Sequence, residues 1–413
     1  MGLGLLLLGS ALLLLLGYAQ IRLLKHKARL RRALDGPSLV LGAGTPHSKP
    51  HGPCNPEASS EHGIALGDEV ETGEVVRWNP GVLANPHLLI LGGSGAGKTQ
   101  TIRAAMLELS RRDFGVVAID FHGDLLIEKA ESYPISMTSE YGVNPLVVDL
   151  DPAGGGPDPQ RFLVLQSLKE TFAPMGGNQL ALLDRALGEV YKNTGIVQED
   201  HESWRREPPT FRDLESALDR LAEAAGKDRR PEAVKTKLGP AFSYGIFSKP
   251  QVPIRERGTT RIDLSKLPPG LQYLAADTLC RQLLRRLQMR GSQGTHRLFL
   301  VVDETKLMMP ARREAPHAIL NRIASEGRKF GLGLIVAATS SAHLSRDIMM
   351  NCFAKLILKT DKIEIPPTAR RFLAERDQLS SLLEPGVGLI NFGDEEAYTV
   401  VRVRPYAARV GDG

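Results

Sequence analysis

The sequence predicts an α/β fold with a mainly parallel central sheet, and three features carry that prediction. Short continuous apolar runs end at glycines or acids: His87–Leu91, Gly115–Asp120, Arg297 to Val302, and Gly331 to Thr339. Stretches near 99–112 and 272–290, compatible with helix, separate them. A glycine-rich turn joins the first run to the first of these helices. Runs that are apolar throughout belong to strands buried on both faces, which parallel sheets provide. With 413 residues, 42% hydrophobic and 24% charged, the chain is long enough for one large domain or two ordinary ones. Cys54, Cys280 and Cys352 are too few and too far apart for a metal spacing or a disulfide framework, so a reducing compartment fits best.

The first 20 residues predict a transmembrane helix. Met1 to Ala19 holds no charged side chain and as a helix would be about 28 Å long. Arg22, Lys25, Lys27, Arg29, Arg31 and Arg32 follow at once, so the positive-inside rule leaves the rest of the chain in the cytoplasm. The expectation is a single pass in the inner (cytoplasmic) membrane. The competing reading, a cleaved signal peptide, lacks a basic n-region and places its charge on the wrong side. The formal net charge of +5 also resides here. Residues 1–35 hold six basic side chains and one acid, which leaves 46 basic and 46 acidic residues in the remainder. Residues 21–62 are thus a basic juxtamembrane segment, suited to anionic headgroups, followed by a Gly/Pro/Ser/His-rich linker. His26, His47, His51 and His62 are irregularly spaced and read as solvated residues rather than metal ligands.

The globular part is predicted over 63–406, with 407–413 as a tail. Gly67 to Pro80 alternates like a short hairpin. After the first core strand, Gly92, Gly93, Ser94, Gly95, Ala96, Gly97, Lys98, Thr99 and Gln100 form the candidate nucleotide site, matching G-x-x-x-x-G-K-[ST]. Glycines let the backbone turn tightly and aim N–H groups at a phosphate chain, and the following helix adds its positive end. Lys98 would reach the β- and γ-phosphates of ATP, and Thr99 would offer its hydroxyl to Mg²⁺. A ligand-free glycine turn is the bland alternative, and the flanking strand and helix argue against it. The strand Gly115–Asp120 ends in Asp120-Phe-His-Gly-Asp124, where His122 and Asp124 are either functional or caps of a following helix.

Asn144-Pro-Leu begins another strand-like run to Asp149, and about 150–255 reads as a helical insertion. Helical spacing covers 160–173 and 178–194, and Thr210-Phe-Arg-Asp213 is a capping box opening a helix to about Ala225. Arg205, Arg206, Lys227, Arg229 and Arg230 read as a solvated face. A strand at Arg261–Leu264 and a helix from Gln272 to Arg290 lead to Arg297-Leu-Phe-Leu-Val-Val-Asp303-Glu304. An apolar strand ending in two acids, downstream of an intact phosphate loop, is a Walker B pattern. Asp303 would hold the Mg²⁺ shell opposite Thr99, and Glu304 would polarise the attacking water.

Pro86-His-Leu-Leu, the glycine loop, Asp303-Glu304, the Arg328-Lys-Phe-Gly turn and the strand ending near Thr339 together resemble the HerA/FtsK superfamily of ring ATPases. Asn144-Pro-Leu and Asn178-Gln-Leu-Ala-Leu-Leu are similar to its conjugative and type IV secretion branch. The resemblance spans about 64–406, with Pro385–Asn391 and Tyr398–Arg404 as closing strands. It implies a RecA-like P-loop NTPase core, a homo-hexamer, and ATP-driven translocation of double-stranded DNA, with secretion, relaxase or nuclease proteins as partners. Powering protein export or assembly, or processing DNA ends, are the alternatives within the family. Arg328 matches the family's arginine finger. Thr339, in Ala338-Thr339, stands where the family's sensor has Thr-Gln, which shortens its polar reach. Nothing resembling a DNA-reading winged helix follows residue 406.

Overall fold

The computed structural model describes residues 63–410, apart from 82, 84, 227, 294–296, 310–317, 366–369, 372–383 and 394–397. The expected membrane span and linker, with their histidines and Cys54, lie outside the described residues, as does Lys227. Among the described residues no helix is long and apolar enough to cross a membrane.

Eleven strands among the described residues form one sheet, in the order β2-β1-β11-β10-β9-β3-β8-β7-β4-β6-β5. They are β1 Ile64–Glu69, β2 Val75–Trp78, β3 Leu88–Leu91, β4 Gly115–Asp120, β5 Glu131–Pro134, β6 Thr259–Asp263, β7 Leu298–Val302, β8 Leu332–Ala338, β9 Ala354–Leu358, β10 Val387–Phe392 and β11 Tyr398–Val403. From β9 to β5 all neighbours are parallel, whereas β10, β11, β1 and β2 add on antiparallel.

Alternation explains the continuous apolar runs. In β3, Leu89 and Leu91 face one core while Leu88 and Ile90 face the other. In β7, Leu298, Leu300 and Val302 face the first core, and Phe299 and Val301 face the second. Both faces of each strand are covered, so no position tolerates a polar residue until the strand ends. The first core is closed by α2 (Pro157–Thr171), α3 (Gly177–Asn193), α4 (Phe211–Ala224), α5 (Arg230–Tyr244), α6 (Pro269–Met289) and α7 (Ile319–Glu326). The second is closed by α1 (Lys98–Arg111), whose Ile102, Ala105, Met106 and Leu109 are buried against it. The predicted capping box opens α4, with the Asp213 carboxylate accepting from the Thr210 N–H at 2.7 Å.

One expectation needs correction, and one strand has no counterpart in the sequence patterning. Asn144 to Asp149 forms no strand, and the place beside β6 is filled by Glu131–Pro134. Asn144 instead turns inward: its amide donates to the Pro209 carbonyl at 2.9 Å, and its Oδ1 accepts from the Leu146 N–H at 2.9 Å. The strand without a counterpart is Ala354–Leu358, which sequence patterning left unassigned and which is a core strand beside β3.

Two buried polar contacts lock the register. His87 accepts from the Leu334 N–H through Nδ1 at 3.0 Å, and its Nε2 lies 3.1 Å from the Ala324 carbonyl, so Nε2 carries the donated proton. Arg261 of β6 is 3% exposed and joins Asp120 (2.6 Å), Asp263 (3.1 Å) and the Ser132 hydroxyl (2.7 Å), tying three neighbouring strands at one end of the sheet. Removing one partner of such a pair leaves a buried charge uncompensated. Arg261→Met is expected to destabilise the chain by roughly 3–5 kcal/mol, measured as a lowered urea midpoint. An unchanged midpoint would show that Asp120 finds other compensation.

Candidate nucleotide-binding and hydrolytic site

The parallel strands all end on the same side, and there the chemistry-bearing residues collect. The glycine loop leaves β3 and enters α1 without an intervening residue outside the motif. It is held from both flanks: the Gly92 N–H donates to the Ala338 carbonyl at the end of β8 (3.1 Å), and the Gly93 N–H donates to Lys359 just after β9 (2.8 Å). Gly92 is required by that packing, since a Cβ there would sit 3.0 Å from the Leu358 Cβ and 3.2 Å from the Ala96 Cβ. Gly97 caps α1 at φ 100, a backbone conformation that L side chains rarely adopt. No acid lies in the first turn of α1. Its unpaired N–H groups therefore keep their positive potential for an incoming anion.

Lys98 folds back over the loop, its Nζ donating to the carbonyls of Gly92 (2.7 Å) and Gly93 (2.9 Å). Partial burial lowers its pKa, and the nearby Glu304 carboxylate opposes that shift. Ser94 and Gly95 form the exposed tip, Ala96 is buried beneath it, and the Gln100 Oε1 is buried without a hydrogen-bond partner. Thr99 donates to the Asp124 carboxylate at 3.4 Å.

The Asp120–Asp124 turn resolves the open question about His122 and Asp124. No helix follows, and the capping role belongs to Asp120, whose carboxylate accepts from the N–H groups of His122 (3.1 Å), Gly123 (2.7 Å) and Leu125 (3.0 Å). His122 and Asp124 are thereby presented to the site. Asp303, at the end of β7, accepts from the Phe121 N–H at 3.3 Å and pairs with His122 Nδ1 at 3.3 Å. Burial pushes the Asp303 carboxyl up to about 6, against the His122 hydrogen bond. The bond to Asp303 raises His122 to about 9, despite partial burial. Glu304 follows as the cap of a 3₁₀ turn, its carboxylate accepting from the Lys306 N–H at 3.3 Å.

Carboxylate oxygens of Asp120, Asp124 and Asp303 lie within 4.8 Å of one another. Asp120 is occupied by Arg261 and the turn, which leaves Asp124, Asp303 and the Thr99 hydroxyl, a hard oxygen set that fits Mg²⁺. Thr339 directly follows Ala338 at the base of the loop, and its hydroxyl lies 3.2 Å from His343 Nδ1.

Arg328 is not part of this constellation. It is exposed in the 3₁₀ turn Gly327–Phe330, which precedes β8, whereas the glycine loop packs on the far end of that strand. Seven strand residues separate the two, a distance of roughly 20 Å. Its guanidinium therefore cannot reach the nucleotide site of its own chain. Sequence reasoning also missed the Arg261–Asp120 pair. Its signal was faint, an arginine between threonines and an isoleucine in a short polar strand.

No family model matches the chain. It is 25% identical over 405 residues to the DNA double-strand break repair helicase HerA of Sulfurisphaera tokodaii, covering 90% of this chain and 74% of that protein. It spans 66% to 74% of the length of the first curated relatives that it matches. The fold is shared with VirB4 of Thermoanaerobacter pseudethanolicus, at a TM-score of 0.66, 20% identity, and coverage of 83% of this chain and 96% of that one. It is shared also with the plasmid coupling protein TrwB in complex with ADP and Mg²⁺, at 0.52, 14% identity, and coverage of 77% and 85%. The likeness to HerA/FtsK-type P-loop ATPases thus holds in sequence and in fold.

Lys98 and Glu304 are expected to fail differently. Lys98→Ala removes a charge-assisted contact to phosphate worth about 1.5–3 kcal/mol and should weaken nucleotide binding roughly 10- to 100-fold. Glu304→Gln should leave ATP bound while slowing hydrolysis roughly 10²- to 10⁴-fold. Equilibrium binding of a fluorescent ATP analogue separates them, and equal loss of affinity in both variants would count against these roles.

Proposed function

We propose that this chain, a P-loop ATPase of the HerA/FtsK type, is a membrane-anchored translocase that moves double-stranded DNA by hydrolysing ATP in a hexameric ring. The observation that carries the reading is the meeting of Lys98, Thr99, Asp303 and Glu304 at one end of the sheet, in a chain that aligns with HerA over 405 residues. The anchor rests on the uncharged run from Met1 to Ala19 and the basic cluster after it. That sequence pattern alone supports a single pass in the cytoplasmic membrane with the ATPase on its inner side.

The residues divide the work. The loop N–H groups and the α1 N-terminus bind the phosphates, and Lys98 swings from the loop carbonyls onto the β- and γ-oxygens. Thr99, Asp303 and Asp124 would hold Mg²⁺, which when bound neutralises charge developing on those oxygens. Glu304 orients a water in line with the γ-phosphate and draws on its proton, and the Thr339 hydroxyl lies beside the loop to report on that phosphate. Apart from the swing of Lys98, the loop N–H groups and the acids are already placed at one end of the sheet, which limits the rearrangement that opposes the reaction.

Among the described residues, the family-matched Arg328 lies at the other end of β8 and does not supply a cation to the site of its own chain. A ring supplies one, because each subunit's Arg328 end then abuts the next subunit's glycine loop.

Linear duplex DNA is expected to stimulate steady-state ATP hydrolysis several-fold or more. Hydrolysis indifferent to DNA at every length would favour the secretion or assembly reading, and hydrolysis at background would favour a nucleotide-dependent scaffold.

Arg328→Ala should slow hydrolysis by roughly 10³- to 10⁵-fold. An ordinary terminal cation would contribute only about 0.3–1 kcal/mol. Mixing Arg328→Ala with Lys98→Ala subunits, each nearly inactive alone, should restore activity at mixed interfaces. If both variants assemble and no ratio restores it, Arg328 does not act in a neighbour's site.

A further inference from the structure

Asp303 is gripped by two successive residues of one turn. The Phe121 N–H holds Oδ1 at 3.3 Å, and the His122 imidazole holds Oδ2 through Nδ1 at 3.3 Å. The turn itself is stiff, because the Asp120 carboxylate ties three of its N–H groups and is in turn clamped by buried Arg261. Asp303 is buried, and the Phe121 N–H and His122 are the hydrogen-bond partners that hold its two oxygens, while the His122 side chain itself is 56% exposed. A carboxylate has about four lone-pair sites. With one lone pair on each oxygen taken, the remaining ones have a defined direction.

We propose that His122 is a positioning residue, which through Nδ1 fixes the plane of the Asp303 carboxylate for Mg²⁺ bound with nucleotide. This rests on the ATPase reading above and on Asp303 as the metal-side acid. Outer partners of this kind orient a ligand without touching the ion, and their loss typically costs 10- to 100-fold in metal affinity. His122 does not bind the nucleotide in this role, so nucleotide affinity without metal is independent of it. Two isosteres tell the ring nitrogens apart. The side-chain amide of asparagine places an N–H close to where Nδ1 stands, and that of glutamine places one close to Nε2.

The test uses the full chain and two readouts other than turnover: binding of a fluorescent ATP analogue in EDTA, and the Mg²⁺ or Mn²⁺ concentration that half-saturates the added binding. His122→Ala is expected to raise that concentration roughly 10- to 100-fold, with EDTA affinity unchanged. His122→Asn should return it to near the wild-type value, and His122→Gln should not. His122→Ala takes a partner from buried Asp303 and is expected to lower the melting temperature somewhat, whereas His122→Asn, which keeps an N–H on that carboxylate, keeps the test decisive if the alanine variant does not fold. Three variants that all match wild type would overturn the proposal, and so would rescue by glutamine alone, which would assign the function to Nε2. A wild-type chain whose nucleotide binding ignores metal would sink the Mg²⁺ assignment itself. A chain that binds no nucleotide in EDTA or with metal would sink the ATPase reading, so the failures are distinguishable.

Discussion

The buried pair of Arg261 and Asp120 is the contact on which the site depends. It costs desolvation of two charges and is repaid only because both are fully engaged, Arg261 by Asp120, Asp263 and Ser132, and Asp120 by three backbone N–H groups. Those N–H groups belong to the turn that carries His122 and Asp124. The same turn holds Asp303 through Phe121 and His122. A charge pair between β4 and β6 thereby sets the geometry of the acid at the end of β7.

Parallel pairing does the rest of the assembly. Leu91 is in register with Ala338 of β8 and Ile357 of β9, so the glycine loop emerges between two strand ends whose following carbonyls accept its first N–H groups. β4 and β7 are in register from Gly115 with Leu298 to Ile119 with Val302, which brings Asp120 and Asp303 level. The order is not sequential: β3 is followed in the chain by β4, yet β8 and β7 lie between them in the sheet. Residues more than two hundred positions apart, Lys98 and Glu304, become electrostatic neighbours for that reason.

The same register separates Arg328 from the site. A strand running towards the glycine loop must begin at the opposite edge, and Arg328 sits at that beginning. In the chain it lies eleven residues before Thr339, which is beside the loop. In space the strand puts the length of the sheet between them. The head-to-tail closure of a ring would turn this separation into a contact.

The local instructions were legible in the sequence by itself. Continuous apolar runs ending at Leu91, Asp120, Val302 and Ala338, the glycine loop, the acidic pair and the Thr210 capping box each depend on residues close in the chain, where spacing alone expresses the physics. What only the tertiary structure decided depends on partners distant in the chain. Asn144–Asp149 has strand-like residues, but Asn144 is held by Pro209 and Leu146 rather than by a strand. Ala354–Leu358 is a short apolar run whose strand character comes from β3 and β10 beside it. His122 and Asp124 are presented to the site because Asp120 caps the turn, and Asp120 is buried there with Arg261, 141 residues away in the chain, as its counter-ion. Spacing along a chain carries periodicity and turn chemistry, but it does not say which buried charge meets which.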